Sequence, residues 1–417
     1  MFGSHLIVVD LGFGDAGKGA TVDWLCSPEA GLDVSAVVRF NGGAQAAHNV
    51  IADGRHHTFA QFGSGTFSGV PTLLSRHMLV EPIALAGEAR RLDALGVREP
   101  LSLLRIEGDA LLTTPIHIAA NRAREDARGA ARHGSCGRGI GETARYALEH
   151  DAPTVADCRD PALLRAKLRA LAAEYAPLIA PSGHRYEPID DLVDMYREFA
   201  AAVRIVDGSY LVRAARRGRL VFEGAQGVLL DEWRGFHPHT TWSTVEPRNA
   251  RAMLAGIGHS GHTLGVTRTY QTRHGAGPLP TERPGLGIPE PHNAFGEYQG
   301  AFRLGHLDAV LLRYAVSVCG GIDGLVVNHL DAAGTGLAAT GYRTPAGIVR
   351  QLPLGPWRDL DHQRGLTGLL ATAEPLLEEL PDDRLSWFER TLGAPVVLGA
   401  DGPARADRTP HRAAAAA

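Results

Sequence analysis

The feature that constrains this chain most lies near its start. A short apolar run, Leu6 to Leu11 (LIVVDL), empties into Gly12-Phe13-Gly14-Asp15-Ala16-Gly17-Lys18-Gly19. A β-branched run bounded by glycines specifies a buried strand feeding a loop. A glycine-rich turn between a strand and a helix exposes backbone N–H groups beside a lysine, which suits phosphate oxygens. Similar runs recur at Ala36-Arg39, Leu220-Phe222, Leu264-Tyr270, Leu325-Val327 and Pro395-Leu398, the candidates for one sheet. Between them Ile83-Leu95, Ile118-Ala131, Pro161-Tyr175, Ile189-Val203 and Leu307-Val318 carry apolar residues at helical spacing. The alternation predicts an α/β fold with a large, mostly parallel central sheet flanked by helices. The stretch from about Gly134 to Gly208 shows no strong strand, so a helix-rich subdomain is expected over about 100–210, on one edge of the sheet. The reading is one domain over 1–408 and a low-complexity tail over 409–417 with no assigned role.

Composition bounds the function. Hydrophobic residues make up 44% and charged residues 21% of 417, enough for a packed core. Lys and Arg total 42 against 46 Asp and Glu, so no basic field exists to hold nucleic acid or an acidic membrane by charge. Neither is expected as a partner. Cys26, Cys136, Cys158 and Cys319 form no CxxC pair, which disfavours disulfides and zinc ribbons and suits a reducing cytoplasm. The start, Met1-Phe2-Gly3-Ser4-His5, has no basic n-region, and no targeting or membrane-spanning segment is expected. The histidine pairs His56-His57, His237 with His239, and His259 with His262 lack matching zinc ligands and read as loop residues. Val212-Arg217 reads as the solvated face of a short helix.

Three loops carry the chemistry. A P-loop places Ser or Thr after its lysine to hold magnesium, but Gly19 stands there. Asp15 is the natural replacement, because a carboxylate beside phosphate oxygens can bind Mg2+ and accept a proton from a second substrate. Its alternative role is a helix cap. The loop Phe40-Asn41-Gly42-Gly43-Ala44-Gln45-Ala46-Ala47-His48 lets a ligand approach the backbone and ends in an imidazole, which is either structural or catalytic. The third, Glu223-Gly224-Ala225-Gln226-Gly227, offers Gln226 to an amide or carbonyl edge.

The segments GDAGKG at 14–19, VVRFNGGAQAAH at 37–48, GRGIG at 137–141, VFEGAQGVLLD at 221–231, TRTYQTRHGAGPLPTE at 267–282 and LDAVLLRYAV at 307–316, in that order, resemble the adenylosuccinate synthetase family. The resemblance implies a GTP-dependent ligase that joins aspartate to IMP through a 6-phosphoryl-IMP intermediate, as a homodimer with one Mg2+ per subunit. It implies that Asp15 removes the purine N1 proton and binds the metal, that the carbonyl of Ala47 is a second metal ligand, and that His48 acts as the acid. Gly14, Asp15, Ala16, Gly17, Lys18 and Gly19 would line the GTP phosphates, with Lys18 neutralising charge in the reaction. Gln226 and Thr241 would hold the IMP base and phosphate. Asp331, in Asn328-His329-Leu330-Asp331, aligns with the guanine-reading element, with His329 in place of its lysine, and Gly402 lies in the matching wall beside Ala400, where the family has serine.

The chain also departs from the family. The loop that closes on aspartate reads Gly296-Glu297-Tyr298-Gln299-Gly300-Ala301-Phe302-Arg303-Leu304, keeping one arginine, Arg303, which also falls on the GTP side. Guanidinium forks suit dicarboxylates and Glu297 repels them, so a neutral or cationic amine is the alternative donor, and Arg268 or Arg273 the alternative grip on aspartate. On the IMP side Cys136 replaces a threonine, Gln45 an asparagine, and the arginine that crosses the dimer aligns near His150, with Arg145 one turn away. Met78-Leu79-Val80-Glu81-Pro82 differs as well. The alternatives are a paralog with the same activation chemistry acting on another amine or a modified purine nucleotide, and a non-catalytic GTP- or IMP-binding protein.

Overall fold

The structure is a computed structural model that describes residues 5–129, 132, 134–290, 293, 295–332 and 336–411. The chain divides into two compact units: Met1–Thr21 with Ile51–Gly54 and Gln226–Ala417, and Val22–Val50 with Arg55–Ala225. Each carries the expected mostly parallel sheet flanked by helices.

In the first unit Leu6–Asp10 pairs in parallel with His262–Arg268, which pairs with Gly324–Asn328, which pairs with Val396–Ala400. Leu6, Ile7, Val8, Val326 and Val327 are fully buried, as expected of parallel strands covered on both faces. The edge strand Arg408–Pro410 runs antiparallel, with Leu398 opposite Pro410 and Gly399 opposite Thr409. Proline is tolerated there because an edge needs no donor on its outer side. Ordered chain thus continues beyond 408, and residues 412–417 of the expected tail lie outside the described residues.

In the second unit the order is Arg219–Glu223, Val34–Arg39, Thr72–Leu74, Leu104–Glu107 and Arg204–Val206, all parallel. The last three have three or four residues each, too short for periodicity to register, and Arg204–Val206 falls inside the stretch read as strand-free.

Helix starts follow their caps. Glu81 accepts from Ile83 and Ala84 N–H ahead of Pro82–Ala94, and Asp160 does the same for Ala162 and Leu163 ahead of Pro161–Ile179. Asp308 caps Ala309–Val318, so Leu307, expected in that helix, instead forms a short strand with Asp308. The helices Pro115–Arg128, Ile140–Glu149, Pro161–Ile179 and Ile189–Ala202 fall within the region expected to be helix-rich. Their core gathers His117, Tyr146 and Tyr175, and the Tyr175 hydroxyl donates to Glu142 O at 3.0 Å. Burial pushes the His117 imidazole down to about 3. The Val212–Arg217 stretch overlaps the helix Ser209–Ala215, where Arg213 and Arg217 flank the Tyr210 ring.

Candidate functional site

In the first unit, the turn after Leu6–Asp10 is organised by the acid that ends the strand. Asp10, wholly buried, accepts from Gly12 N at 2.8 Å, Ala16 N at 2.9 Å and Lys18 Nζ at 3.1 Å. Two amides and an ammonium on one carboxylate fix the loop's curvature. Gly14 and Gly17 take φ of 107° and 94°, where side chains are strained, and a Cβ on Gly17 would lie 2.5 Å from Asn328 Nδ2, whose amide donates to Ala16 O at 2.6 Å. Lys18 then opens the helix Lys18–Cys26, with Gly19 in its first turn.

Gln226 and Gly227 press against this turn. A Cβ on Gly227 would fall 2.1 Å from Gly12 O and 2.2 Å from Gly14 N, so glycine is required. Gln226 has φ 57°, and its buried Oε1 has no partner among the described residues. A left-handed backbone and an unmatched buried acceptor thus meet at one residue. Thr241 lies in the following loop, its N–H donating to Leu230 O at 2.8 Å.

Asp15 also has positive φ, 61°, and keeps about a quarter of its side chain exposed. Desolvation raises its carboxyl above the ordinary value, against the pull of His274, Arg268 and Lys18. His274 Nε2 lies 3.7 Å from Asp15 Oδ2, and its ring packs on Phe302 at 4.6 Å.

The guanine-reading candidates sit behind a charged cluster. Arg268 Nη1 donates to Glu290 Oε1 at 2.6 Å, Tyr270 OH donates to the same oxygen at 2.5 Å, and Arg268 Nη2 lies 3.0 Å from His329 Nε2. His329 has φ 57°, and burial together with Arg268 pushes its imidazole down to about 3, so it is neutral. The His329 ring therefore meets this cluster as an acceptor. Leu330 N donates to Ala400 O at 3.0 Å, which brings exposed Asp331 beside the chain leading to Gly402. A Cβ on Gly402 would meet Asp407 Oδ2, so a side chain there would displace that carboxylate.

The segment Gly296–Leu304 begins with a tight turn, closed by paired hydrogen bonds between Gly296 and Gly300. Glu297, Tyr298 and Gln299 form its tip, and Ala301 leads into Phe302–Gly305, which pairs antiparallel with Gln271–His274. Arg303 donates to Gly275 O, Glu282 Oε2 and Gly277 O at 2.9, 2.7 and 2.7 Å. Arg273 is almost wholly buried, donates to the carbonyls of Ala276, Pro278 and His239, and lies over Phe13 at 4.1 Å.

The second unit holds the other set. His48 begins the strand His48–Ala52, and its Nδ1 lies 2.6 Å from Glu223 Oε1. Ser64 donates to Glu223 through Oγ at 2.5 Å and N at 2.9 Å. Burial alone would raise the Glu223 carboxyl, but His48 and Arg39 outweigh it and hold it down at about 2, so it is ionised. Asn41 accepts from Ala225 N at 2.8 Å and donates to Ala225 O at 3.1 Å, clamping the two loops. Both amide atoms of Gln45 are buried without a partner among the described residues, and Ala47 is exposed. Cys136 lies on the segment that Asn121 ties down through Ser135 Oγ at 2.8 Å and Gly139 N at 3.1 Å, and burial raises its thiol. Arg145 pairs with Glu174 at 3.3 Å and Glu142 at 3.7 Å, while His150 stacks on Tyr146 at 4.3 Å.

The sequence profile of adenylosuccinate synthetase matches residues 7–353. The adenylosuccinate synthetase of Neisseria meningitidis serogroup B is 32% identical over 437 residues, covering 96% of this chain and 97% of that protein. The chain belongs to the adenylosuccinate synthetase family. That of Neisseria gonorrhoeae is 32% identical over 406 residues, covering 93% and 89%. The fold matches fully ligated adenylosuccinate synthetase from Plasmodium falciparum with a TM-score of 0.82 at 19% identity, over 98% of this chain and 100% of that one. It also matches cyanophage S-2L succinoaminodeoxyadenylate synthetase, bound to dGMP and to dATP as an energy donor, with a TM-score of 0.62 at 16% identity, over 99% and 97%.

As an adenylosuccinate synthetase family member, the protein is a ligase that forms a C–N bond. Among its described residues no helix is long and apolar enough to cross a membrane, and no three His, Cys, Asp or Glu side chains gather as a metal cage. Magnesium seldom needs such a cage, since it binds one or two carboxylates together with substrate phosphates and water, and Asp15 on a phosphate-type turn fits that pattern. Sequence reading gave no role to Asp10, Ser64 or His274. An acid where a strand enters a glycine turn was a visible signal for Asp10, whereas Ser64 and His274 meet their partners only through the fold.

Proposed function

We propose that this protein uses GTP to phosphorylate the 6-oxo group of IMP and then lets the amine of aspartate displace the phosphate, giving adenylosuccinate. The observation that carries this reading is the placement of Asp15, a carboxylate held at φ 61° on the glycine turn that Asp10 and Lys18 organise, with His274 3.7 Å away. A hypoxanthine oxygen is a poor leaving group until it bears a phosphoryl group, and it attacks phosphorus well only after N1 loses its proton. A carboxylate of raised pKa is the better base for that proton. Lys18 and the N–H groups from Gly14 to Gly19 take up phosphate charge, His48 supplies a proton to the transferring oxygens, and the Gln226 amide holds the base. Gln45, Cys136 and Thr241 serve the IMP side, and His329, Asp331 and Gly402 the guanine side. Asp15 and the Ala47 carbonyl are the proposed protein ligands of magnesium, which when bound neutralises charge developing on the phosphates. A homodimer, with Arg145 or His150 reaching the neighbouring IMP, belongs to the same reading.

A second reading keeps the activation step but takes an amine other than a dicarboxylate. Arg303 favours it, because each of its three nitrogens already donates, to Gly275 O, Glu282 Oε2 and Gly277 O, which ties the guanidinium to this turn and leaves two of its five N–H groups for a carboxylate. One assay separates the two: enzyme with Mg2+, GTP and IMP, with and without aspartate, followed by phosphate release and product mass. Aspartate-dependent adenylosuccinate supports the first, and turnover only with another amine the second. Tight nucleotide binding with no turnover points instead to a binding protein. Asp15→Asn is expected to lose activity by about 100-fold or more while still binding GTP, and full activity in that variant removes its assigned role.

A further inference from the structure

We propose that Glu223, braced by Ser64, is the positioning residue that sets the ring of His48 for proton donation, an inference that rests on the activation step proposed above. Glu223 ends the strand Arg219–Glu223 and is wholly buried. Its Oε1 takes His48 Nδ1 at 2.6 Å and Ser64 Oγ at 2.5 Å, and its Oε2 takes Ser64 N at 2.9 Å. With both oxygens occupied, the carboxylate cannot rotate without losing a charge-assisted bond.

The brace is itself rigid. Ser64 opens a short 3-10 turn, Ser64–Ser68, seated between two glycines that tolerate no side chain. A Cβ on Gly63 would lie 2.7 Å from Val37 Cγ1, and one on Gly65 2.6 Å from Cys26 Sγ. Arg39, buried beneath, donates to Ala60 O at 3.0 Å and Phe62 O at 3.1 Å, fixing the chain just before Ser64. A carboxylate accepting at Nδ1 holds one proton there, so the proton the ring gives up is a second one, carried on Nε2 of the imidazolium that the carboxylate stabilises. In its general form this is the carboxylate–imidazole pairing by which a buried acid sets tautomer and orientation without touching substrate.

A loop-holding role for Glu223 alone would alter folding and nucleotide affinity, whereas a positioning role alters turnover. Four forms of the full-length enzyme decide: wild type, Glu223→Gln, Ser64→Ala and, for assignment alone, His48→Asn. The expected result for Glu223→Gln is a kcat lowered on the order of 100-fold, with GTP and IMP dissociation constants within about threefold of wild type. Ser64→Ala, the milder change, is expected to lower kcat about 10-fold with the same affinities. Proton NMR supplies a readout independent of turnover. Wild type should show a far-downfield His48 Nδ1 proton, assigned by its loss in His48→Asn, that moves upfield in Ser64→Ala and disappears in Glu223→Gln. An active wild type whose Glu223→Gln variant keeps kcat within about threefold overturns the positioning role, as does a spectrum with no such proton. A wild type that forms no GDP from GTP and IMP in a single turnover overturns the activation step instead, and is told apart because the proton signal is read without substrates.

Discussion

Asp10 and Glu223 are the same device used for two ends. Each is a wholly buried acid at the C-terminal end of a parallel strand, and each gathers three donors. Asp10 takes two backbone amides of its own loop and an ammonium, so it shapes the main chain. Glu223 takes an imidazole and both donors of one serine, so it orients a side chain. The partners differ as well: an ammonium offers donors only, whereas an imidazole has two distinct ring nitrogens, one held by the carboxylate and the other left for chemistry. A buried carboxylate therefore matters more to stability beside a lysine and more to chemistry beside a histidine.

The largest expected effect tests the first half of that contrast. Asp10→Ala strands a buried ammonium and two amides, and urea unfolding should show a loss of about 3–5 kcal/mol, against about 1–3 kcal/mol for Glu223→Gln. Equal losses would erase the distinction. Next comes Gly17→Ala, which forces a side chain to φ 94° and against Asn328. It should cost about 1–3 kcal/mol and weaken GTP binding, measured by calorimetry, with IMP affinity unchanged. The smallest effect, counted per pH unit, sharpens the histidine side, using a ring with no carboxylate partner among the described residues. His117 is neutral in the fold, with its imidazole depressed to about 3, while the unfolded chain takes up a proton near pH 6.5. Its contribution is thus fully present above about pH 6.5 and is lost as pH falls toward about 3, at up to about 1.4 kcal/mol per pH unit. Denaturation of His117→Gln between pH 7 and 4 should show a slope shallower by up to one proton, and an unchanged slope would refute the depressed value.

Much of this was legible in the residues. Strand-forming runs such as Leu6–Leu11 and helix caps such as Asp160 act locally, so both elements stand close to where the pattern puts them. The short strands Thr72–Leu74 and Leu104–Glu107 were not legible, because three or four residues form a strand only when neighbours supply the ladder. Asp15, His48 and Gln226 announced themselves by type and glycine context. Arg303 and His329 did not announce their partners: a guanidinium bonded to two carbonyls and Glu282, and an imidazole kept neutral beside Arg268, depend on what lies nearby in space.

The sequence by itself determined the α/β class, the phosphate-type turn and membership of the adenylosuccinate synthetase family, because periodicity, glycine placement and ordered segments are properties of the chain read in one dimension. Only the tertiary structure decided which acid holds which cation. Asp10 meets Lys18 across eight residues of chain, but Glu223 meets His48 across 175 and Ser64 across 159, and Arg268 meets His329 across 61. Separations of that size carry no local signal, since it is the packing of strands and loops that brings such groups within hydrogen-bonding distance.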